Sequence, residues 1–183
     1  MTRLTVIAGP TAVGKGTVVR ELLTKHPEIE LSISVTTRAP RVGELDGVHY
    51  HFVSDSEFDR MLEHGELLEW ATVHQSHRYG TPKSPVEAAI AAGKQIILEI
   101  DVQGARQVKS SMPSANLIFI APPSEEELIR RLATRGTETP EQIDVRLATA
   151  KAEMAAALEF DHIIVNHEVA QCAQEVLDLM QAK

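Results

Sequence analysis

The segment that most limits what this chain can become is Gly9-Pro10-Thr11-Ala12-Val13-Gly14-Lys15, which directly follows the apolar run Leu4-Thr5-Val6-Ile7-Ala8. Glycine, four residues, glycine and lysine is the spacing of a loop that wraps with its backbone N–H groups turned inward while the lysine reaches the β/γ-phosphates of a nucleotide. A helix is expected from Lys15 to about Lys25, and its positive N-terminal end favours the same anion. A β-branched strand before and a helix after distinguish such a cradle from an ordinary glycine-rich turn. The position after Lys15, where Ser or Thr gives its hydroxyl to Mg²⁺, is Gly16, and the hydroxyl arrives one residue late at Thr17. Mg²⁺ commonly keeps several waters, so it is expected to be held through water or by a carboxylate elsewhere, with Thr17 a candidate ligand.

A chain of 183 residues suits one domain, or a core with small inserted subdomains. Apolar residues make up 43% and charged residues 24%. These are soluble globular proportions, and no window approaches the ~18 consecutive apolar residues of a membrane span. Met1-Thr2-Arg3 leads straight into a strand, so no cleavable leader is expected and the cytoplasm is the default compartment. The net charge of −8, with His neutral, opposes binding to nucleic acid or anionic lipid. A site for a phosphorylated ligand must therefore be a local basic one. Cys172, in a C-terminal helical pattern among Ala and Val, reads as a small buried apolar residue rather than a nucleophile. Monomer and homo-oligomer are both compatible with the pattern.

Continuous apolar, β-branched runs recur at Leu4 to Ala8, Leu31 to Val35, Ile96 to Ile100, Leu117 to Ala121 and Ile163 to Val165. Such runs predict strands buried on both faces. Helical patterns separate most of them, at Lys15 to Lys25, Pro85 to Ala92, Gln103 to Ser111, Ser124 to Thr134 and Pro140 to Leu158. Alternation of this kind implies a parallel sheet covered on both sides. Between Gly43 and Thr81 the pattern changes: short mixed strands at Val48 to Val53 and Leu67 to Val73 surround a helix from Asp55 to His64. This predicts an inserted α+β lobe. Ser124-Glu125-Glu126-Glu127 and Ser54-Asp55-Ser56-Glu57 have capping-box spacing. A last helix, Glu168 to Gln181, is expected to bury Val169, Val176, Leu177 and Met180.

Three further elements carry chemistry. The strand Ile96-Ile97-Leu98-Glu99-Ile100-Asp101 ends in an acid, and ligands of open parallel sheets sit at the carboxyl ends of strands, so Asp101 is a site candidate and Glu99 could also face the site. Arg38 and Arg41 flank Pro40, which fixes a turn between them. Two guanidinium forks could clamp one phosphate dianion, although a solvated pair of surface arginines has the same composition. Arg130, Arg131 and Arg135 precede Gly136-Thr137-Glu138-Thr139-Pro140, with Arg146 beyond. This pattern fits a lid carrying arginines to a transferring phosphate, with Arg130 facing solvent. An acceptor that is itself a phosphate needs no hydroxyl deprotonated. Catalysis would then rest on positioning and charge neutralisation, which suits a chain with no convincing Ser-His or Cys-His unit.

With these residues in hand, the chain resembles guanylate kinases, enzymes that phosphorylate GMP with ATP, over essentially its full length. Ser34-Val35-Thr36-Thr37-Arg38-Ala39-Pro40-Arg41-Val42-Gly43-Glu44 resembles the family's GMP-phosphate signature. Gly47 to Phe52 carries its tyrosine at Tyr50, Glu69-Trp70 its guanine-reading acid, and Ile120-Ala121-Pro122-Pro123-Ser124 with Arg131 to Thr139 its strand end and lid. The resemblance implies a P-loop, three-layer α/β fold with a parallel sheet, an inserted nucleoside-monophosphate lobe (residues 32–81) and a helical lid (124–148) on a core of residues 1–31, 82–123 and 149–183. It implies transfer of the γ-phosphoryl of ATP to GMP, with dGMP a further expected acceptor and Mg²⁺ as cofactor with ATP. Arg38, Arg41, Tyr50 and Tyr79 would hold the GMP phosphate, while Ser34, Glu69 and Thr81 would read guanine. Lys15, Arg131, Arg135 and Arg146 would act on the transferring phosphoryl group. Gly9, Pro10, Thr11, Ala12, Val13, Gly14, Lys15, Gly16, Thr17 and Asn166 would contact ATP. Asp101 would lie near acceptor and metal, in its outer shell. The segment 74–81 is one residue longer than the family pattern and has His77-Arg78 where aromatic or glycine residues are commoner. His49, His51, His74 and His77 come without cysteine and read as loop histidines rather than a metal site. Two other readings are a non-catalytic module of the same shape that binds a phosphorylated peptide, and a kinase for another nucleoside monophosphate. Glu69 argues against the latter, because adenine offers no matching pair of donors.

Overall fold

The computed structural model describes residues 3–73, 77–134 and 140–182, with side chains at all of these except 73, 133, 134 and 140–146. In chain order the first half comprises β1 (Leu4–Ala8), α1 (Lys15–Lys25), β2 (Glu30–Leu31), β3 (Val35–Thr36), β4 (His51–Phe52), α2 (Asp55–Glu63), β5 (Leu67–Val73) and β6 (His77–Pro82). The second half comprises α3 (Lys83–Ala91), β7 (Ile96–Glu99), α4 (Val102–Ser111), β8 (Asn116–Ala121), α5 (Glu125–Thr134), α6 (Pro140–Ala155), β9 (His162–Val165) and α7 (Val169–Gln181).

Five strands form one parallel sheet in the order β2-β7-β1-β8-β9. All of β1 is buried. Its residues alternate between two apolar layers: Ile7 packs with α1 and α7, whereas Leu4, Val6 and Ala8 pack with α3 and α4. This sandwich of helix, sheet and helix is the three-layer arrangement that continuous apolar strands require, since each face must be covered. A second, mixed sheet, β4-β3-β6-β5, forms the lobe with α2, around the apolar residues Val35, Phe58 and Met61.

Four elements differ from the sequence expectation. The run Leu31 to Val35 is not one strand: Ser32 makes the last core bond, its N–H donating to Ile97 O at 2.9 Å, and Val35 pairs with His51 and Gly80 of the other sheet. An apolar run carries no mark of which sheet each end joins. The apolar run Ile163 to Val165 lies in the edge strand β9, so Ile163 and Val165 are exposed and only Ile164 is buried. Val48 to Val53 shortens to His51–Phe52 because residues 45–50 form a turn, with Gly47 N–H donating to Tyr50 O and His49 N–H to Leu45 O. The long helix expected to reach Leu158 ends at Ala155 and tightens into a 3₁₀ turn, Ala156–Glu159. The capping serines behave as expected: Ser54 Oγ accepts from Glu57 N–H at 3.1 Å and Ser124 Oγ from Glu127 N–H at 3.2 Å.

The unusual Arg78 has a structural job. Its guanidinium lies over the Phe58 ring at 4.7 Å and donates to Asp59 Oδ1 at 2.5 Å and Asp55 Oδ1 at 2.7 Å. It therefore ties β6 to α2. Cys172 is buried in the α1/α7 layer, where burial pushes its thiol up to about 11, as an apolar role requires.

Candidate active site

The loop between β1 and α1 is shaped by backbone constraints. Gly9 has φ 147, and a Cβ there would stand under 3.0 Å from the carbonyl oxygen of Ile120 in β8, a position no side chain can take. Gly14, at the start of α1, has φ 98, and Ala12 holds φ 63, which is strained for a residue with a Cβ. Val13 is fully buried in the α1/α7 layer and pins the loop to the core. Lys15 folds back over its own loop, with Nζ donating to Gly9 O at 2.6 Å and Pro10 O at 3.1 Å.

Around this loop stand groups from distant parts of the chain. Asn166, at the end of β9 and 2% exposed, donates from Nδ2 to Val13 O at 2.8 Å, while its Oδ1 is buried without a partner. Arg131 of α5 donates to Val13 O at 3.1 Å, Asn166 O at 3.2 Å and Glu127 Oε1 at 2.7 Å. Arg130 is exposed and paired with Glu127, as expected. Glu99 directs its carboxylate at Gly16, 3.3 Å from where a Cβ would be. Burial pushes Glu99 above the usual carboxylate range, against the pull of Lys15 and Arg20. Sequence reasoning missed Glu153 of α6: burial raises it, while Lys15 and the Thr11 backbone N–H draw it toward the charged form, and its Oε2 is buried without a partner. Its sequence context, one of three acids in the long helical pattern from Pro140 to Leu158, gave no signal that set it apart. Arg135 lies outside the described residues, and of Arg146 only the backbone, within α6, is described. His74 also lies outside them, and among the described residues no cluster of three His, Cys, Asp or Glu could hold a metal ion by itself.

The second basic centre is in the lobe. Arg38 is held from every side: Nε donates to Tyr79 Oη at 3.1 Å, Nη1 to Ala39 O at 2.7 Å, and Nη2 to Glu44 Oε1 and Oε2 at 2.8 and 2.9 Å. Tyr50 meets Tyr79 edge-on, with ring centroids 5.8 Å apart, and lies 5.5 Å from the Arg38 guanidinium. Burial raises the Tyr50 hydroxyl, and both Tyr79 and Glu99 add to the rise. The Arg41 side chain is exposed, and its backbone N–H donates to Glu44 Oε2 at 2.7 Å. Ser34 is half-buried, and its carbonyl accepts from His51 N–H.

Below this centre Glu69 is 5% exposed. Thr81 Oγ1 donates to its Oε1 at 2.6 Å. Burial is the main reason its carboxyl is pushed up to about 7, with Asp101 adding to the rise and the Thr81 hydroxyl opposing it. No cation among the described residues pairs with it. Asp101 caps α4, its Oδ1 accepting from Gly104 N–H at 2.8 Å, and its charge reaches both Glu69 and Glu153. Tyr79 and Thr81 both face this cluster, and β5 and β6 keep one register from Val73↔His77 to Glu69↔Thr81 before it shifts between Glu69 and Leu67.

A guanylate kinase family model matches residues 1–183. The chain belongs to the guanylate kinase family. It is 58% identical over 98% of its length to a guanylate kinase of Leifsonia xyli, of which it covers 71%. It is 57% identical over 98% of its length to one of Thermobifida fusca, of which it covers 91%. The crystal structure of guanylate kinase from Anaplasma phagocytophilum superposes with a TM-score of 0.81 at 34% identity, covering 97% of this chain and 84% of that one. The parallel sheet with helices on both faces is thus the guanylate kinase fold.

Proposed function

We propose that this chain transfers the γ-phosphoryl group of ATP to GMP, and to dGMP, giving ADP and the nucleoside diphosphate, as a cytoplasmic enzyme acting on free nucleotides. The observation that carries the acceptor's identity is Glu69: a buried carboxylate, held by Thr81 and matched by no cation among the described residues. Guanine supplies N1–H and an amino group, two donors for one carboxylate, whereas adenine has no such pair. Ser34, just before β3 of the same lobe, adds a hydroxyl to that reading. Arg38, with Tyr50 and Tyr79 around it, receives the acceptor phosphate, and Arg41 closes over it from the exposed turn. The orphaned Oδ1 of Asn166 supports a ligand donor beside the phosphate loop, and the adenine amino group is one.

In the reaction an oxygen of the GMP phosphate bonds to the γ-phosphorus as the bond to the β-phosphate oxygen breaks. That oxygen is already ionised, so no general base is required. Residues Gly9 to Thr17 cradle the ATP phosphates; Lys15 leaves the loop carbonyls for the β/γ-oxygens. Arg131, Arg135 and Arg146 neutralise charge on the transferring group. The hard oxygen donors beside the loop, Glu99 facing Gly16 and Thr17 on α1, fit a hydrated Mg²⁺ held mainly by phosphates and water, with Asp101 further out. When bound, that ion supplies charge neutralisation on the β- and γ-phosphates. We further propose that the lobe (32–81) and lid (124–148) close on the core, since arginines far apart in sequence must meet one small phosphate.

No helix among the described residues is long and apolar enough to cross a membrane. A coupled assay of ADP formation with GMP, AMP, CMP and UMP tests the reading. GMP is expected to exceed AMP in kcat/KM by ~10²-fold or more, because a missing donor leaves a buried acceptor unpaired. Equal turnover with AMP would overturn it.

A further inference from the structure

Gly104 lies in the first turn of α4, buried, with no positive φ to call for glycine. Glycine is the poorest helix former after proline, so local structure argues for alanine at this position. The surroundings argue the opposite. A Cβ on Gly104 would stand under 3.0 Å from Glu69 Oε2, 3.0 Å from Glu69 Cδ and 3.2 Å from Ile100 Cδ1. None of these atoms is backbone. A methyl group there would not block the path of the chain; it would move a carboxylate.

That carboxylate has nowhere equivalent to go. Oε1 is fixed on the other side by Thr81 at 2.6 Å. Its strand cannot retreat either: Gln107, one turn along α4 on the same side, donates from Nε2 to Trp70 O at 2.6 Å and accepts Trp70 N–H at 3.1 Å. Those two bonds fill the outer edge of β5, the last strand of the lobe sheet, and fix its distance from α4. Glu69 is thus held between a hydroxyl on one strand and an empty helix position on the other side.

We infer that Gly104 is a positioning residue for base specificity: the missing side chain is the space that lets Glu69 keep Oε1 on Thr81 while Oε2 faces the acceptor's base. The inference rests on the reading that Glu69 recognises guanine. Gln107 completes the device by holding the Glu69–Trp70 backbone at fixed distance.

Four variants separate the possibilities: Gly104→Ala, Glu69→Ala, Glu69→Asp, and Gly104→Ala combined with Glu69→Asp. KM for GMP, KM for ATP, kcat and thermal midpoint are measured for each. Gly104→Ala is expected to raise KM for GMP by about tenfold or more, since displacing a recognising group by about an ångström can cost up to ~10²-fold. KM for ATP and kcat at saturating GMP should stay within about twofold, and the melting temperature should hold or rise, because alanine favours the helix. Aspartate, one methylene shorter, clears the new methyl. In the Glu69→Asp background the added Gly104→Ala should therefore change KM for GMP by less than about threefold. An unchanged KM for GMP in Gly104→Ala, with Glu69→Ala strongly impaired, overturns the Gly104 inference and leaves the base reading intact. A lowered melting temperature with KM for both substrates altered together makes Gly104 a packing residue and also overturns it. If Glu69→Ala itself keeps full GMP efficiency, the base reading fails and the inference fails with it.

Discussion

The two ends of the candidate site are built in opposite ways. The phosphate loop is seven consecutive residues, Gly9 to Lys15, in which geometry comes from backbone: glycines at φ 147 and φ 98, a strained Ala12, and a buried Val13 that pins the loop. The base-reading corner is a carboxylate on β5, a hydroxyl on β6 and an empty position on α4, with no two of them adjacent in sequence. A backbone site recognises what all its ligands share, the phosphate chain, and tolerates side-chain change outside its glycines and lysine. A side-chain site discriminates between ligands and depends on every partner holding its place.

The contrast is sharpest at Lys15. Lys15→Ala should fold, because the side chain bonds carbonyls of its own loop, Gly9 O and Pro10 O. It should lose roughly 10²- to 10³-fold in kcat, the usual loss of one preorganised charge, or roughly 3 to 4 kcal/mol. Circular dichroism and steady-state kinetics check this together; a folded variant with near wild-type turnover would remove the loop from the mechanism.

At the other end, Glu69→Gln should cost GMP efficiency by about 10²-fold and yet stabilise the protein. The Glu69 carboxyl is raised from 4.5 to about 7 by burial. Its folded value therefore lies above its unfolded one, so the folded state binds the extra proton in that interval. Stability is fullest below about pH 4.5 and is lost as pH rises toward 7, by roughly 3 kcal/mol for this shift. Glutamine keeps an acceptor for Thr81 and removes the charge. Its melting temperature should exceed wild type at pH 8 and match it near pH 4.5; no gain at pH 8 would show that the carboxylate is already compensated. The same titration gives the wild-type KM for GMP a fall of about tenfold between pH 6 and 8. Glu69→Gln should show only the smaller change from the nucleotide phosphate, which titrates near pH 6.

What the sequence revealed follows the same division. The phosphate loop, the β1-to-α1 transition, both serine caps and the α7 face of Val176, Leu177 and Met180 rest on local spacing, and the structure shows them. Val169 is only partly buried, because it starts the helix. The edge position of β9 and the split at Leu31 and Val35 depend on neighbours from elsewhere in the chain. Residue type alone cannot encode them. Tyr50, Tyr79, Glu69 and Thr81 were named only through the family signature, whereas Arg38 also stood out beside Pro40, and the structure brings these residues together. Gly104 and Glu153 matter through contacts made at sequence separations that no motif spans.

The smallest effect is expected where the loop departs from its own pattern. Gly16 lacks the hydroxyl that would reach Mg²⁺, and a Cβ added there would sit 3.3 and 3.4 Å from the two Glu99 oxygens, tight but against a side chain. A serine at this position would therefore meet Glu99 first, and its hydroxyl can donate to that carboxylate. If the ion is held by phosphates and water, with Glu99 near and Asp101 engaged as the α4 cap, Gly16→Ser should shift the Mg²⁺ dependence of GMP phosphorylation by less than about tenfold, or 1.4 kcal/mol. Thr17→Ala tests the opposite possibility, since Thr17 lies on the exposed side of the first turn of α1 and carries the nearest hydroxyl. Mg²⁺ titrations of both variants, alongside nucleotide binding with and without the ion, distinguish the two. A folded Thr17→Ala enzyme that needs far more Mg²⁺ makes that hydroxyl a ligand, and the backbone end of the site would then depend on a side chain after all.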